Sequence, residues 1–297
     1  MKTPVFTGAN VAIVTPLNEN GVDYERFGKL IDFQIDNGIN AITVCGTTGE
    51  SATLTHEEHC RVIEYSVKKV AGRVPVIAGT GSNDTAFALE LSKFAEDAGV
   101  DGLLMVTPYY NKTTQRGLVQ HYTYVADRVK TPIILYNVPS RTGVSFKADT
   151  YAELSKHPNI NGIKEASGDF SLVAETLSKC GDNMFMWSGN DDQIVPLMSL
   201  GAKGVISVVA NILPGMVSKM CKSCLEGDFK AAAKLQLDYF DISDALFCEV
   251  NPIPVKTALK LMGMDNGYLR MPLYEMAPAN VERLRNSLNK VGIKTVY

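Results

Sequence analysis

Gly99-Val100-Asp101-Gly102-Leu103-Leu104-Met105 is a helix end followed at once by a short apolar run, and the same pattern returns along the chain. It recurs as Gly38-Ile39-Asn40-Ala41-Ile42-Thr43-Val44, as Gly201-Ala202-Lys203-Gly204-Val205-Ile206-Ser207 and, in degenerate form, as Asn159-Ile160-Asn161-Gly162-Ile163-Lys164. Gly or Asn in first place suits the left-handed conformation of a helix C-cap. The apolar run after it reads as a strand covered on both faces. Four more strand candidates, Asn10–Thr15, Pro75–Gly79, Pro132–Asn137 and Met184–Ser188, fill the gaps and bring the count to eight.

Amphipathic helices lie between these runs. Phe87, Leu91, Phe94, Ala95 and Ala98 keep helical spacing behind Ser82, Asn83 and Asp84, each a candidate N-cap. Thr55-His56-Glu57-Glu58 has the form of a capping box. Eight strands alternating with helices predict an α/β fold, a closed (β/α)8 TIM barrel. An open doubly wound sheet fits less well: it has fewer strands, and no G-x-G-x-x-G follows the first strand here. After residue 208 the strand signals fade. The expected organisation is therefore a barrel over residues 1–213, carrying the active site, and a C-terminal helical appendage over 214–297 packed on it. Breaks are expected in the appendage near Gly227, Pro252–Pro254 and Pro272–Pro278.

The composition, 45% hydrophobic and 21% charged over 297 residues, is that of a globular chain large enough to bury a core without disulfide or metal staples. A formal charge of −3 and the lack of a basic run argue against nucleic acid or an anionic membrane as partner. No apolar run approaches the roughly 18 residues of a membrane span. Met1–Leu17, broken by Pro4, Asn10 and Pro16, lacks the apolar centre of a signal peptide, so the cytoplasm is the expected compartment. The six cysteines are scattered, unlike a secreted disulfide framework. Cys221 and Cys224 form one C-x-x-C without the second pair a zinc site would want, and are expected to be packing residues of a helix.

In such a barrel, chemistry collects where the strands end. Those ends carry Thr15-Pro16, Gly46-Thr47-Thr48-Gly49-Glu50, Gly79-Thr80-Gly81, Thr107-Pro108-Tyr109-Tyr110, Tyr136-Asn137, Lys164-Glu165, Ser188-Gly189-Asn190 and Ile206-Ser207. Lys164 stands out, because its counterparts in the repeat are Thr43, Leu104 and Ile206. A lysine buried there has a lowered pKa and becomes a nucleophilic amine able to form an imine with a ketone. The alternative is a structural lysine paired with Glu165 or Glu50. Tyr136, at the end of the preceding strand, is either a core tyrosine or a proton shuttle beside Lys164. Thr47 and Thr48, in a glycine-flanked turn, suit a carboxylate, although such turns are common. Arg141 could clamp a second carboxylate or lie solvated in its loop. His56 and His59 sit one helical turn apart, but H-E-x-x-H is absent and the strand ends hold no cluster of metal ligands. No metal is expected.

Taken together, Gly46-Thr47-Thr48-Gly49-Glu50-Ser51, Thr107-Pro108-Tyr109-Tyr110-Asn111, Tyr136-Asn137-Val138-Pro139-Ser140-Arg141-Thr142-Gly143 and Gly162-Ile163-Lys164-Glu165-Ala166-Ser167-Gly168-Asp169 resemble the dihydrodipicolinate synthase family of pyruvate-dependent Schiff-base lyases and aldolases. The resemblance runs from Gly8-Ala9 to Asn251-Pro252-Ile253-Pro254-Val255-Lys256. It implies that Lys164 forms an imine with pyruvate, and that Tyr136, Thr47 and Tyr110 relay protons, Tyr110 reaching into a neighbouring subunit. Thr48 and the Ile206 backbone would hold the pyruvate carboxylate, Gly189 would line the same pocket, and Arg141 would hold the carboxylate of aspartate semialdehyde. The product would be 4-hydroxy-tetrahydrodipicolinate, a precursor of diaminopimelate and lysine. No cofactor is implied, and the assembly would be a homotetramer, a dimer of dimers. The Arg-Thr-Gly at 141–143 and the paired threonines distinguish the chain from sialic acid lyases, while keto-deoxy sugar acid aldolases share its lysine and tyrosine chemistry. Ser51, Ala52, His56, His59, Asn83 and Tyr109 match positions that bind the feedback inhibitor lysine in regulated members, where this chain departs by carrying Phe87 in place of a glutamate. Weakened or altered inhibition is the expectation.

Overall fold

The computed structural model describes residues 2–296. Eight strands, β1 (Gly8–Ala12), β2 (Ala41–Val44), β3 (Val76–Gly79), β4 (Gly102–Val106), β5 (Ile133–Asn137), β6 (Ile160–Glu165), β7 (Phe185–Ser188) and β8 (Gly204–Ser207), form one closed parallel barrel. Each strand pairs with the next, and β8 returns to β1. The closing seam needs glycine. Gly204 has φ +152°, and a Cβ there would lie 1.8 Å from the Gly8 carbonyl oxygen, a position no side chain can share.

The strands end within a residue of where the apolar runs predict, except β1. Expected over residues 10–15, it starts two residues early and stops at Ala12. At its start Gly8 N donates to Lys203 O (2.8 Å) and Ala9 N to Asn40 Oδ1 (2.9 Å). At its end Asn211 takes over the backbone: Val14 N donates to Asn211 Oδ1 (3.1 Å), and Asn211 Nδ2 donates to Ala12 O (2.9 Å). Both terminations come from residues remote in sequence, so no local pattern marks them.

The helix starts follow the capping signals. Thr55 and Glu58 make both bonds of the capping box, Glu58 N to Thr55 Oγ1 (3.2 Å) and Thr55 N to Glu58 Oε2 (3.0 Å). Of the three candidates before the helix Thr85–Ala98, Asp84 is the cap. That helix buries Ala88, Leu91, Ser92 and Ala95. Phe87, read as part of this core face, is instead 37% exposed. Cys221 and Cys224 are buried on the helix Pro214–Leu225 as free thiols.

The strands separate two apolar regions. The larger lies between sheet and helices. The smaller fills the barrel axis with Phe6, Ala41, Ile77, Leu104, Ile134 and Trp187, among others. Phe6 stacks on Trp187 with 4.9 Å between ring centroids, and its carbonyl accepts from Trp187 Nε1 (3.3 Å), which plugs the end of the barrel opposite the strand C-termini. Among the described residues no helix is long and apolar enough to cross a membrane.

The helix Pro214–Leu225 lies against β1 and β8, where it completes the outer ring of the barrel. Beyond it run the helices Phe229–Asp238, Phe240–Ala245, Ile253–Leu261 and Pro278–Lys290. A buried ion pair helps fasten this region to the barrel mouth. Lys256 Nζ reaches Glu50 Oε1 at 2.5 Å, with the two side chains 1% and 0% exposed, and also donates to Thr15 O (3.1 Å). Removing one partner of a buried pair strands the other charge. Lys256→Met should therefore lower the unfolding free energy by about 3–5 kcal/mol in urea titrations. Adding Glu50→Gln should recover part of that loss. A loss below about 1 kcal/mol for the single variant would show that the pair does not hold the region in place.

Candidate active site

β5 and β6 place the two central side chains. Their register pairs Tyr136 with Lys164, and inward-facing residues on neighbouring strands share a level. Lys164 Nζ sits 4.3 Å from the centroid of the Tyr136 ring. Both side chains open on a cavity of about 190 Å³, which Thr47, Thr48, Arg141 and Gly189 also line. Gly189 leaves room for the lysine: a Cβ there would lie 2.7 Å from Ala166 Cβ and 3.2 Å from Lys164 Cε.

Lys164 makes no ion pair among the described residues, and both carboxylates proposed as structural partners are committed elsewhere. Glu50 is held by Lys256. Glu165, one residue along β6 and so facing the other side of the sheet, accepts from Asn137 Nδ2 (3.0 Å), Tyr151 Oη (3.2 Å) and Ser167 N (2.7 Å). Burial lowers the Lys164 pKa to about 8; buried Asp191 pulls it back up and Arg141 pushes it further down. Asp191 is itself committed, accepting from Val208 N (2.9 Å), Val209 N (3.2 Å) and the Ser207 hydroxyl. An amine so placed can attack a carbonyl carbon once it is deprotonated. Burial raises the Tyr136 pKa, against the pull of Arg141 and of the nearby Thr47 hydroxyl. Tyr136 thus keeps its proton at neutral pH and can pass it on.

Thr47 and Thr48 stand on a turn after β2 that closes with Glu50 N donating to Thr47 O (3.1 Å), Glu50 itself taking φ +54°. Arg141 lies on a short helix, Pro139–Thr142, that starts just past β5. Ile206 is 1% exposed, its side chain packed in the core of the barrel axis and not on the cavity wall. Tyr110 stands apart. It is 91% exposed, with φ +69°, and does not line the cavity of its own chain.

Asn251, from the C-terminal region, also lines the cavity. Its Nδ2 donates to Thr48 Oγ1 (3.0 Å), and its carbonyl accepts from an Arg141 Nη (3.1 Å). No motif spacing singles it out, since it reaches the barrel mouth through the docking of the C-terminal region, to which the Lys256–Glu50 pair contributes.

A second cavity, of about 350 Å³, adjoins the first and is lined by Ser51, Ala52, His59, Phe87 and Tyr109. His59 Nε2 lies 2.8 Å from Gly79 O, and burial lowers the pKa of the ring. His56 is not on the wall; its ring packs on Phe87 with 5.7 Å between centroids. Asn83 lies outside this cavity, its carbonyl accepting from Asn111 Nδ2 (2.9 Å). No group of three His, Cys, Asp or Glu residues among the described ones is placed to hold a metal ion.

A family model described as the dihydrodipicolinate synthetase family matches residues 5–293. A 4-hydroxy-tetrahydrodipicolinate synthase of Thermoanaerobacter sp. (strain X514) is 55% identical over 291 residues, covering 98% of this chain and 98% of that protein. The crystal structure of the dihydrodipicolinate synthase from Aquifex aeolicus superposes with a TM-score of 0.97 at 47% identity, covering 98% of this chain and 100% of that one. A dihydrodipicolinate synthase from Acinetobacter baumannii, solved in complex with pyruvate, superposes with a TM-score of 0.95 at 46% identity, covering 97% and 99%.

The burial of Lys164 has a direct chemical readout. Only the free amine is acylated, so labelling of Lys164 by a small anhydride, followed by peptide mass spectrometry, should rise with pH and reach half its maximum near the pKa of about 8. Exposed lysines should reach theirs about two units higher. A Lys164 profile indistinguishable from theirs would show an amine that is not desolvated.

Proposed function

The chain belongs to the dihydrodipicolinate synthetase family, and from that membership we propose that it condenses pyruvate with L-aspartate 4-semialdehyde through an imine on Lys164. The product is 4-hydroxy-tetrahydrodipicolinate, on the route to diaminopimelate and lysine. The observation that carries the mechanism is the unpaired Lys164 amine, 6% exposed, over the Tyr136 ring.

The free amine attacks the keto carbon of pyruvate and gives a carbinolamine, which loses water to become a protonated imine. That cation draws electrons from the neighbouring methyl group, which loses a proton and leaves an enamine. The enamine carbon attacks the aldehyde carbon, forming the new C–C bond while the aldehyde oxygen takes up a proton. The amino group of the second substrate then adds to the imine carbon, closes the ring and releases Lys164. Tyr136 and Thr47 carry the protons in these steps, joined by Tyr110 of a neighbouring subunit; the 91% exposure of Tyr110 in the isolated chain fits a residue that works away from its own cavity. Thr48, with the Ile206 backbone, holds the pyruvate carboxylate, and Gly189 keeps space beside the imine. Arg141 receives the carboxylate of the semialdehyde through its fork of N–H donors. The assembly we propose is a cytoplasmic homotetramer, a dimer of dimers.

Borohydride reduction in the presence of pyruvate tests the imine. Intact and peptide mass spectrometry should find one pyruvyl adduct, on Lys164, and none on Lys164→Ala. An adduct on a different lysine, or none on the wild type, would sink the mechanism.

We also propose the cavity of Ser51, Ala52, His59 and Tyr109 as the place where lysine acts as feedback inhibitor, with His56 and Asn83 at its margin. Phe87 offers no charge to the inhibitor's ammonium, and His59 is held neutral by burial. Lysine titration of the activity should show weak inhibition. Phe87→Glu should lower the half-inhibitory concentration about tenfold or more, the effect of one charge-assisted hydrogen bond. Tight inhibition of the wild type, unaffected by Phe87→Glu, would count against this site.

A further inference from the structure

A hydroxyl has one proton to donate and two lone pairs to accept with. Asn251 Nδ2 donates to Thr48 Oγ1 at 3.0 Å, so the Thr48 proton cannot point at Asn251 and is left for another acceptor. Thr48 is 3% exposed, and what it faces is the cavity that holds Lys164. The same asparagine works on the second donor of the site. Its main-chain carbonyl accepts from one Arg141 Nη at 3.1 Å, which restrains the guanidinium and leaves its remaining N–H groups to bind a ligand. The Asn251 side chain does nothing else: its Oδ1 has no partner among the described residues. One hydrogen bond set against one unsatisfied acceptor adds little to folding.

We propose that Asn251 is a positioning residue for both carboxylates of the reaction, its side-chain amide turning the Thr48 hydroxyl proton into the cavity and its main-chain carbonyl setting Arg141. This rests on the pyruvate-imine reading above and adds a residue from outside the barrel strands and their loops. The anchor is the buried Lys256–Glu50 pair, which ties the helix after Asn251 to the very turn that carries Thr48. Substrate affinity would then depend on how the C-terminal region docks, although none of that region's side chains takes part in the chemistry.

The amide half of the proposal can be tested with pyruvate alone, by following how borohydride trapping on Lys164 depends on pyruvate concentration. Asn251→Ala should raise the half-saturating pyruvate concentration about tenfold, the effect of losing one preorganised hydrogen bond. The maximal trapping rate and the unfolding midpoint should stay close to wild type. Asn251→Asp, similar in shape, should do at least as much harm, because a carboxylate accepts the Thr48 proton and turns it away from the cavity. In a Thr48→Val background Asn251→Ala should add nothing further. An unchanged pyruvate dependence in Asn251→Ala, or an equal loss with and without Thr48, would overturn the inference and leave the imine standing. Absence of any pyruvyl adduct on the wild type would instead overturn the function and the inference with it. If Asn251→Ala does not fold, Asn251→Asp and the Thr48→Val pair carry the same decision.

Discussion

Closure of the sheet between β8 and β1 is the constraint on which everything else in this molecule rests. An open sheet would have to cover its inner face with helices, and the inner side chains would meet a second layer. A closed one turns that face in on itself. Its lower part is then filled by Phe6, Ile77, Leu104, Ile134 and Trp187, and its upper part is left as a small cavity. The seam closes because Gly204 lets its backbone approach that of Gly8 to a distance that no side chain would permit.

Inside such a closed sheet a lysine has few ways to stay charged. The two carboxylates nearest in the sequence logic are each held by several donors of their own, Glu50 by the C-terminal region and Glu165 by Asn137, Tyr151 and Ser167. What remains for Lys164 is the field of Asp191, itself engaged by Ser207 and two backbone amides, and the face of Tyr136. This balance leaves the amine neither fully neutral nor firmly paired, which suits a group that must shed a proton, attack a carbonyl and later be released.

The C-terminal region fixes the mouth of the cavity. Lys256 and Asn251 both reach the Thr47–Glu50 turn, the first holding Glu50 and the second touching Thr48. The barrel supplies the buried amine of Lys164 and the Tyr136 ring beside it, and the C-terminal region touches Thr48 and Arg141 on the same cavity.

From the sequence alone, the barrel follows from the repeated glycine-to-apolar step, because a helix C-cap and a doubly covered strand are both local signals. Lys164 stands out for the same reason: a charged residue in an apolar repeat is an anomaly visible without any coordinates. Tyr136 as its neighbour follows from strand order. What the sequence left open depended on contacts between distant segments. The true limits of β1 are set by Lys203, Asn40 and Asn211. Phe87 borders a cavity and is partly exposed, which its helical spacing does not reveal. Whether Lys164 is paired could be answered only by seeing where Glu50 and Glu165 go, and the place of Asn251 only by seeing how the helix of Lys256 docks. Hydrophobic period and capping are properties of neighbouring residues, and so can be read from the chain. Hydrogen-bond partners and the field at a buried charge belong to groups that only folding brings together.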